Sequence, residues 1–301
     1  MPVKKALVVY FSGTGGTARA ADAMEAALAA HGVSVSKQEI HHNNVIENGS
    51  EDLLVLLFAV HALNAPEPVY RWLKSMAGVQ GILPAAVLAV SGGGEIFPNR
   101  ACRLSSIKRL KKKGYDVTYE DMLVMPSNMS IATPDSLAVR LLEVLPQKVN
   151  QIADDLLAGV RRRTKPGPLN RTMSVLFEAE KFGAHFFGKA LYAQESCTSC
   201  GWCAKQCPSG NITMTGENPE FDGKCVMCFR CVYGCPVHAI AAKRLGFALN
   251  KQGFDMRRYD TLKAAQNAKV KSIAWMGVNR YLDGDGKGEI TGSDNRTVPR
   301  G

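Results

Sequence analysis

Ala6-Leu7-Val8-Val9-Tyr10-Phe11 is a continuous apolar run, and Ser12-Gly13-Thr14-Gly15-Gly16-Thr17 follows it directly. An unbroken apolar run of this length reads as a strand buried on both faces. The glycines and hydroxyls then mark a strand-to-helix turn. Such a turn suits a phosphate monoester: backbone N–H groups and the helix N-terminus supply positive potential, and Ser12, Thr14 and Thr17 can donate hydrogen bonds. No lysine follows as in a nucleoside-triphosphate loop, which argues against that ligand class. A tight turn that only caps a helix is the alternative reading of the same residues.

Outward from this stretch, residues 17–30 are Ala-rich without Gly or Pro and end as a helix at His31-Gly32. Further strands are expected at 33–40, 53–60, 83–90 and 115–125. Helices are expected at 67–76, 99–113 and 134–157, the last containing Pro146. Strands alternating with helices mean an α/β domain over residues 1–160, its parallel sheet covered on both faces. Five strands with a phosphate-type loop after the first predict the doubly wound order 2-1-3-4-5. Arg161-Arg162-Arg163, then Pro166-Gly167-Pro168, read as a charged linker whose arginines are free. Within the 161–192 segment, a single helix over 169–192 carries Met173, Leu176, Phe177, Phe187 and Leu191 on one side. We expect that stripe to pack against protein rather than lie on a membrane.

Eight of the nine cysteines repeat one pattern, C-x2-C-x2-C-x3-C-P. They are Cys197, Cys200, Cys203 and Cys207, then Cys225, Cys228, Cys231 and Cys235, closed by Pro208 and Pro236. This is the ligand run of a bacterial-type ferredoxin with two [4Fe–4S] clusters, in which the fourth cysteine of each run serves the other cluster. One cluster then takes Cys197, Cys200, Cys203 and Cys235, and the other takes Cys225, Cys228, Cys231 and Cys207. Structural zinc prefers two ligand pairs per ion, and disulfides need an exporting context. A small α+β domain over 193–245 is expected, with Trp202 and Phe229 shielding its clusters from water. Cys102 stands alone and reads as a small buried apolar group. His41-His42 reads as solvated loop.

The 301 residues carry a formal charge of +10. Residues 1–160 hold 15 basic and 15 acidic side chains, and 161–301 hold 22 and 12. Bound clusters and a flavin phosphate would lower the total to roughly +4, which weakens a nucleic-acid reading. The surplus suggests redox partner proteins with an acidic docking surface. Lys4 and Lys5 precede an apolar run too short for a signal peptide, and cluster assembly needs free thiols, so a cytoplasmic setting is expected. Residues 246–301 read as a basic, partly flexible tail. Its stretch from Asp283 to Asp294 only superficially matches a calcium loop.

Tyr10 to Thr17 resembles the FMN-phosphate loop of flavodoxins. Phe58-Ala59-Val60-His61 with Pro66 and Pro68, Ser91-Gly92-Gly93-Gly94, Lys113-Gly114-Tyr115 and Met125-Pro126-Ser127-Asn128-Met129 add to the likeness. With the two cysteine runs, the arrangement resembles the EFR-type ferredoxins, which join a flavodoxin-like domain to a two-cluster ferredoxin domain. The resemblance implies FMN over the C-terminal strand ends, its phosphate at Ser12, Gly13, Thr14, Gly15, Gly16 and Thr17. The flavin ring would lie against His61 and the Ser91, Gly92, Gly93, Gly94 loop. The sixth loop residue, Gly16, is commonly Asn in the cluster-bearing relatives. No Trp or Tyr stands where flavodoxins stack the ring, and His61 and Phe97 are the nearest substitutes.

The expected function is a carrier of low-potential electrons, at roughly −400 mV for clusters of this kind. An FMN-dependent reductase fed by its own clusters is the second reading, and turnover with small acceptors distinguishes it. A scaffold with an empty flavodoxin-like domain is the third, marked by absence of flavin uptake.

Overall fold

The computed structural model describes residues 2–177, 180–243, 246–262 and 275–284. Five parallel strands form one sheet in the order β2-β1-β3-β4-β5, as the alternation of elements predicts. They are β1 (Lys5–Phe11), β2 (Ser34–Glu39), β3 (Leu53–Ala59), β4 (Leu83–Ser91) and β5 (Tyr115–Val124). Every residue from Leu53 to Phe58 is buried, because helices cover both faces. Helices α1 (Gly16–Ala30) and α4 (Asp135–Leu157) bury Met24, Leu28, Val149 and Ile152 on one face. Helices α2 (Glu67–Ser75) and α3 (Leu104–Lys112) bury Leu73, Ile107 and Leu110 on the other. The order and the coverage are those of a flavodoxin-like sheet.

Several local expectations change. A 3-10 turn, Asn99–Ala101, precedes α3, so the expected 99–113 helix is shorter. Cys102 between them is fully buried, and desolvation pushes its thiol up to about 12. The expected 169–192 helix is two, α5 (Pro168–Leu176) and α6 (Glu180–Ala190), leading into strand β6 (Leu191–Ala193). Its apolar stripe divides accordingly. Phe187 and Leu191 are buried with the cysteines, whereas Leu176 and Phe177 are exposed.

Arg161-Arg162-Arg163 is not a free linker. It runs beside β5, where the Arg162 N–H donates to the Thr118 carbonyl (3.0 Å) and the Glu120 N–H donates to the Arg162 carbonyl (2.9 Å). Acidic side chains of that edge strand neutralise the arginines: Arg161 with Asp116 (2.9 Å), Arg162 with Asp121 (2.8 Å) and Arg163 with Glu120 (2.9 Å). Arg103, fully buried, completes the network with Glu120 (2.9 Å) and Glu95 (2.6 Å).

The cysteine-rich domain is small and repetitive. Strands β7 (Ile212–Thr215) and β8 (Asn218–Phe221) form a hairpin, and β6 pairs antiparallel with β9 (Ile240–Ala242). Short helices α7 (Trp202–Gln206) and α8 (Arg230–Gly234) carry the third cysteine of each run. Left-handed backbone recurs at matched places: Ser199 and Met227, Gly201 and Phe229, Gly210 and His238. Side chains tolerate that region poorly, so the repeat extends to strained positions and not only to sulfur.

The chain then returns to the sheet domain. Phe254, Met256 and Tyr259 join the α1–α4 core, and Asp260 accepts two 2.6 Å bonds from Arg19. Helix α9 (Met276–Leu282) packs Val278 and Tyr281 with Val124, Leu137 and Leu141. These described parts of the tail, expected to be partly flexible, are packed. The calcium-like stretch lies almost wholly outside the described residues. Among them, no helix is long and apolar enough to cross a membrane.

Arg103 and Glu120 are both buried, so replacing Arg103 leaves the Glu120 carboxylate with Arg163 and the Thr164 N–H as its remaining partners. Arg103→Leu is expected to destabilise the sheet domain by about 1.5–3 kcal/mol, the loss of charge-assisted bonds from a carboxylate that keeps Arg163, read as a lower denaturation midpoint in far-UV circular dichroism.

Candidate functional site between the two domains

The carboxyl ends of β1, β3, β4 and β5 meet the second cysteine run across a cavity of about 450 Å³. That volume is within the range of small-molecule and cofactor sites. The first turn lines one end with Ser12, Gly13, Thr14, Gly16 and Thr17. His61 after β3, Ser91 and Gly92 after β4, and residues 125–129 after β5 continue the wall. Residues 223–227 and Phe229 close it from the cysteine-rich side.

In the turn, the Ser12 hydroxyl accepts from the N–H groups of Gly15 and Ala18, both at 3.2 Å. The Thr14 hydroxyl accepts from Asn128 Nδ2 at 2.9 Å. The Thr17 hydroxyl oxygen is buried and has no protein partner. A buried hydroxyl without a partner is costly, and a phosphate oxygen at this turn would satisfy it. The donor set therefore fits a phosphate monoester. Gly15, at φ 99°, shapes the turn as the residue before α1 and is not on the wall.

The remaining expected residues divide. His61 lies on the wall and is half-buried, with its Nδ1 2.9 Å from the Val226 carbonyl. The acceptor fixes the tautomer, so Nδ1 carries the proton and donates. Desolvation lowers its pKa to about 4, against which the bond to Val226 works only partly. Ser91 and Gly92 reach the cavity, but Gly93 and Gly94 do not. Gly94, at φ 81°, instead makes room for α9: a Cβ there would stand 2.9 Å from the Gly277 carbonyl. Phe97 is 54 % exposed and is absent from the wall, so it cannot replace the missing ring-stacking aromatic.

The cysteines form two sets. Cys197, Cys200, Cys203 and Cys235 surround one small apolar recess with Trp202 and Pro236. Cys225, Cys228 and Cys231 are pushed up by burial, Cys225 to about 12 and Cys228 to about 11, and nearby Cys207 adds repulsion to each. The fourth cysteine of each run thus stands with the other run. Thiols held this high ionise when a cation compensates them, which suits iron. Among the described residues no three His, Cys, Asp or Glu side chains converge on a single ion. Backbone N–H groups meet three sulfurs: Asn211 on Cys207 (3.2 Å), Ala239 on Cys235 (3.3 Å) and Met227 on Cys225 (3.4 Å). The two sets differ in exposure. Cys200 is exposed, while Cys228 is buried against Gly13, where a Cβ would overlap the Cys228 carbonyl.

Two residues at this junction, Arg230 and Tyr233, escaped the sequence reading, and two that it named, Asn128 and His42, have distant partners that it did not foresee. Arg230 bonds the carbonyls of Ser12 and Gly13 at 2.6 and 3.1 Å. The Tyr233 hydroxyl donates to the Asn128 carbonyl at 2.9 Å, and Asn128 in turn holds Thr14. His42 lies in an exposed loop as expected, and its Nδ1 also stands 3.0 Å from the Cys207 carbonyl. No local pattern marks such pairings.

Residues 189–236 match the family model of the 4Fe-4S dicluster domain. No curated protein matches the chain. Similar solved structures include a flavodoxin from the domain Archaea, at 17 % identity over 50 % of this chain and 98 % of that one, TM-score 0.35. Oxidised Flavodoxin 1 from Bacillus cereus has 15 % identity over 51 % and 97 %, TM-score 0.38. Oxidised Flavodoxin 2 from Bacillus cereus has 19 % identity over 51 % and 97 %, TM-score 0.39. The matched domain and the sheet order of the first 160 residues make this an iron–sulfur electron-transfer protein with a flavodoxin-like domain.

His61 binds fewer protons folded than unfolded between its lowered pKa, about 4, and the ordinary value near 6.5. Stability should therefore fall as pH drops through that window, by up to about 1.4 kcal/mol per unit. Melting midpoints from pH 6.5 to 5 should fall more steeply for the wild type than for His61→Gln.

Proposed function

We propose that the chain is an electron carrier holding two [4Fe–4S] clusters and one FMN. The observation that carries this reading is the shared cavity: the phosphate-type turn forms one end, and the loop from Gly223 to Met227, with Cys225 of the second run, forms a wall. Bound there, the clusters supply one-electron transfer and the flavin supplies both one- and two-electron transfer. Cys197, Cys200, Cys203 and Cys235 would hold one cluster, and Cys225, Cys228, Cys231 and Cys207 the other.

The protein's own groups have definite tasks in this reading. Ser12, Thr14 and Thr17 hold the phosphate with the N–H groups of the turn. His61, neutral at pH 7, ties the wall to the cysteine loop without adding charge. Phe229, 2 % exposed and flanked by Phe187 at 5.6 Å and Tyr233 at 5.9 Å, excludes water beside the buried cysteines. The exposed face at Cys200 is where a partner would approach. The basic surplus beyond residue 160 favours an acidic partner, although Arg161–Arg163 are already neutralised by β5. Assembly on free thiols favours the cytoplasm. This fusion is the arrangement of the EFR-type ferredoxins.

Anaerobically purified protein should contain about eight irons and eight sulfides per chain, and one FMN. Tightly bound zinc in iron-supplied protein would overturn the cluster assignment. Cys207→Ala should remove the paramagnetic signal of the Cys225–Cys231 set and spare the other; the reverse loss would refute the exchanged wiring.

Thr17→Val should weaken FMN by about 1–2 kcal/mol, one charge-assisted bond, and leave riboflavin unchanged. Equal affinity of the wild type for the two flavins would refute the phosphate assignment.

A further inference from the structure

Arg230 lies between Cys228 and Cys231, yet its side chain points out of the cysteine-rich domain. Its Nη2 donates to the Ser12 carbonyl at 2.6 Å and its Nε to the Gly13 carbonyl at 3.1 Å. Its Nη1 donates to the Gln206 carbonyl at 3.3 Å, the residue before Cys207. Glu39, at the end of β2, pairs with the same Nη2 and neutralises the charge. The side chain is 14 % exposed, so these bonds face little competition from water. One guanidinium thus joins the phosphate-type turn to both segments that supply the buried cysteine set.

The consequence follows from peptide geometry. In a trans peptide the N–H points opposite to the carbonyl that precedes it. With the Ser12 and Gly13 carbonyls held by Arg230, the N–H groups of Gly13 and Thr14 face away from the guanidinium. Both residues line the cavity. Preset donors cost no reorganisation when an anion arrives. A second tie runs parallel to the first: Tyr233, on the same short helix, bonds the Asn128 carbonyl, and Asn128 Nδ2 bonds the Thr14 hydroxyl. Two side chains of α8 therefore fix backbone and hydroxyl of one turn.

We propose that Arg230 is a positioning residue for phosphate recognition, making the turn's affinity for a phosphate monoester depend on the cysteine loop that carries it. The inference rests on the phosphate reading of Ser12–Thr17. Its function is discrimination: a flavin with a phosphate gains from the preset amides, and one without does not.

The test titrates FMN and riboflavin into the full-length chain with its iron–sulfur content verified, following quenching of flavin fluorescence. Arg230→Gln is expected to lose about tenfold in FMN affinity while riboflavin stays within about twofold, since the fork is lost and only the phosphate uses it. Arg230→Lys keeps the charge but cannot hold two carbonyls in fixed geometry, so it should lose several-fold of the FMN preference (roughly). It decides the matter if Arg230→Gln does not retain iron. An equal loss for both flavins overturns the proposal, because Arg230 would then only join the domains. Full FMN preference in either variant also overturns it, while leaving the phosphate reading intact. A wild type that does not prefer FMN overturns the phosphate reading, and this one with it.

Discussion

Cys228 lies so close to Gly13 that no side chain fits between them. That contact brings a cysteine loop into the wall of a cavity that a flavodoxin-like sheet would otherwise open to solvent. Around it lie the reach of Arg230 to two carbonyls, the bond from His61 to Val226, and the buried ring of Phe229. The absence of a Cβ at residue 13 is thus a condition on the domain junction, whatever the turn binds. Sequence reasoning assigns that glycine to the anion alone.

The sheet is legible because its causes are local. Leu53 to Phe58 have no polar residue, and a strand buried on both faces requires that; α1 and α4 advertise their buried stripes by spacing. The thiol sets are legible because the cysteine spacing is regular. Long-range polar pairs are not. Arg230 meets Ser12 across 218 positions and His61 meets Val226 across 165; nothing near either residue encodes its partner. The basic run at 161–163 misleads for the same reason, since its neutralising Asp116, Glu120 and Asp121 stand on β5.

One signal for Arg230 does exist in the repeat. Aligning the cysteine runs places Trp202 opposite Arg230, each directly before the third cysteine of its run. In the first run that position holds an indole, which packs where Gly234 leaves room. In the second it holds a guanidinium aimed at another domain. The left-handed residues keep the two halves nearly equivalent in backbone, so a change from apolar to charged at one matched position marks where symmetry yields to the junction. The exposure of Cys200 and the burial of Cys228 follow the same asymmetry.

The return of the chain to the sheet domain has a mechanical consequence. Residues 161–163 anchor the entry to the cysteine-rich domain along β5, and Phe254, Met256 and Tyr259 anchor the exit on α1 and α4. A domain suspended from one linker can swing, and its encounter with a neighbour is then a diffusional search governed by tether length. Held at both ends, this one has lost that freedom. The spacing between its buried thiols and the phosphate-type turn is set by the fold, so the transfer proposed across the junction would need no waiting for a productive pose.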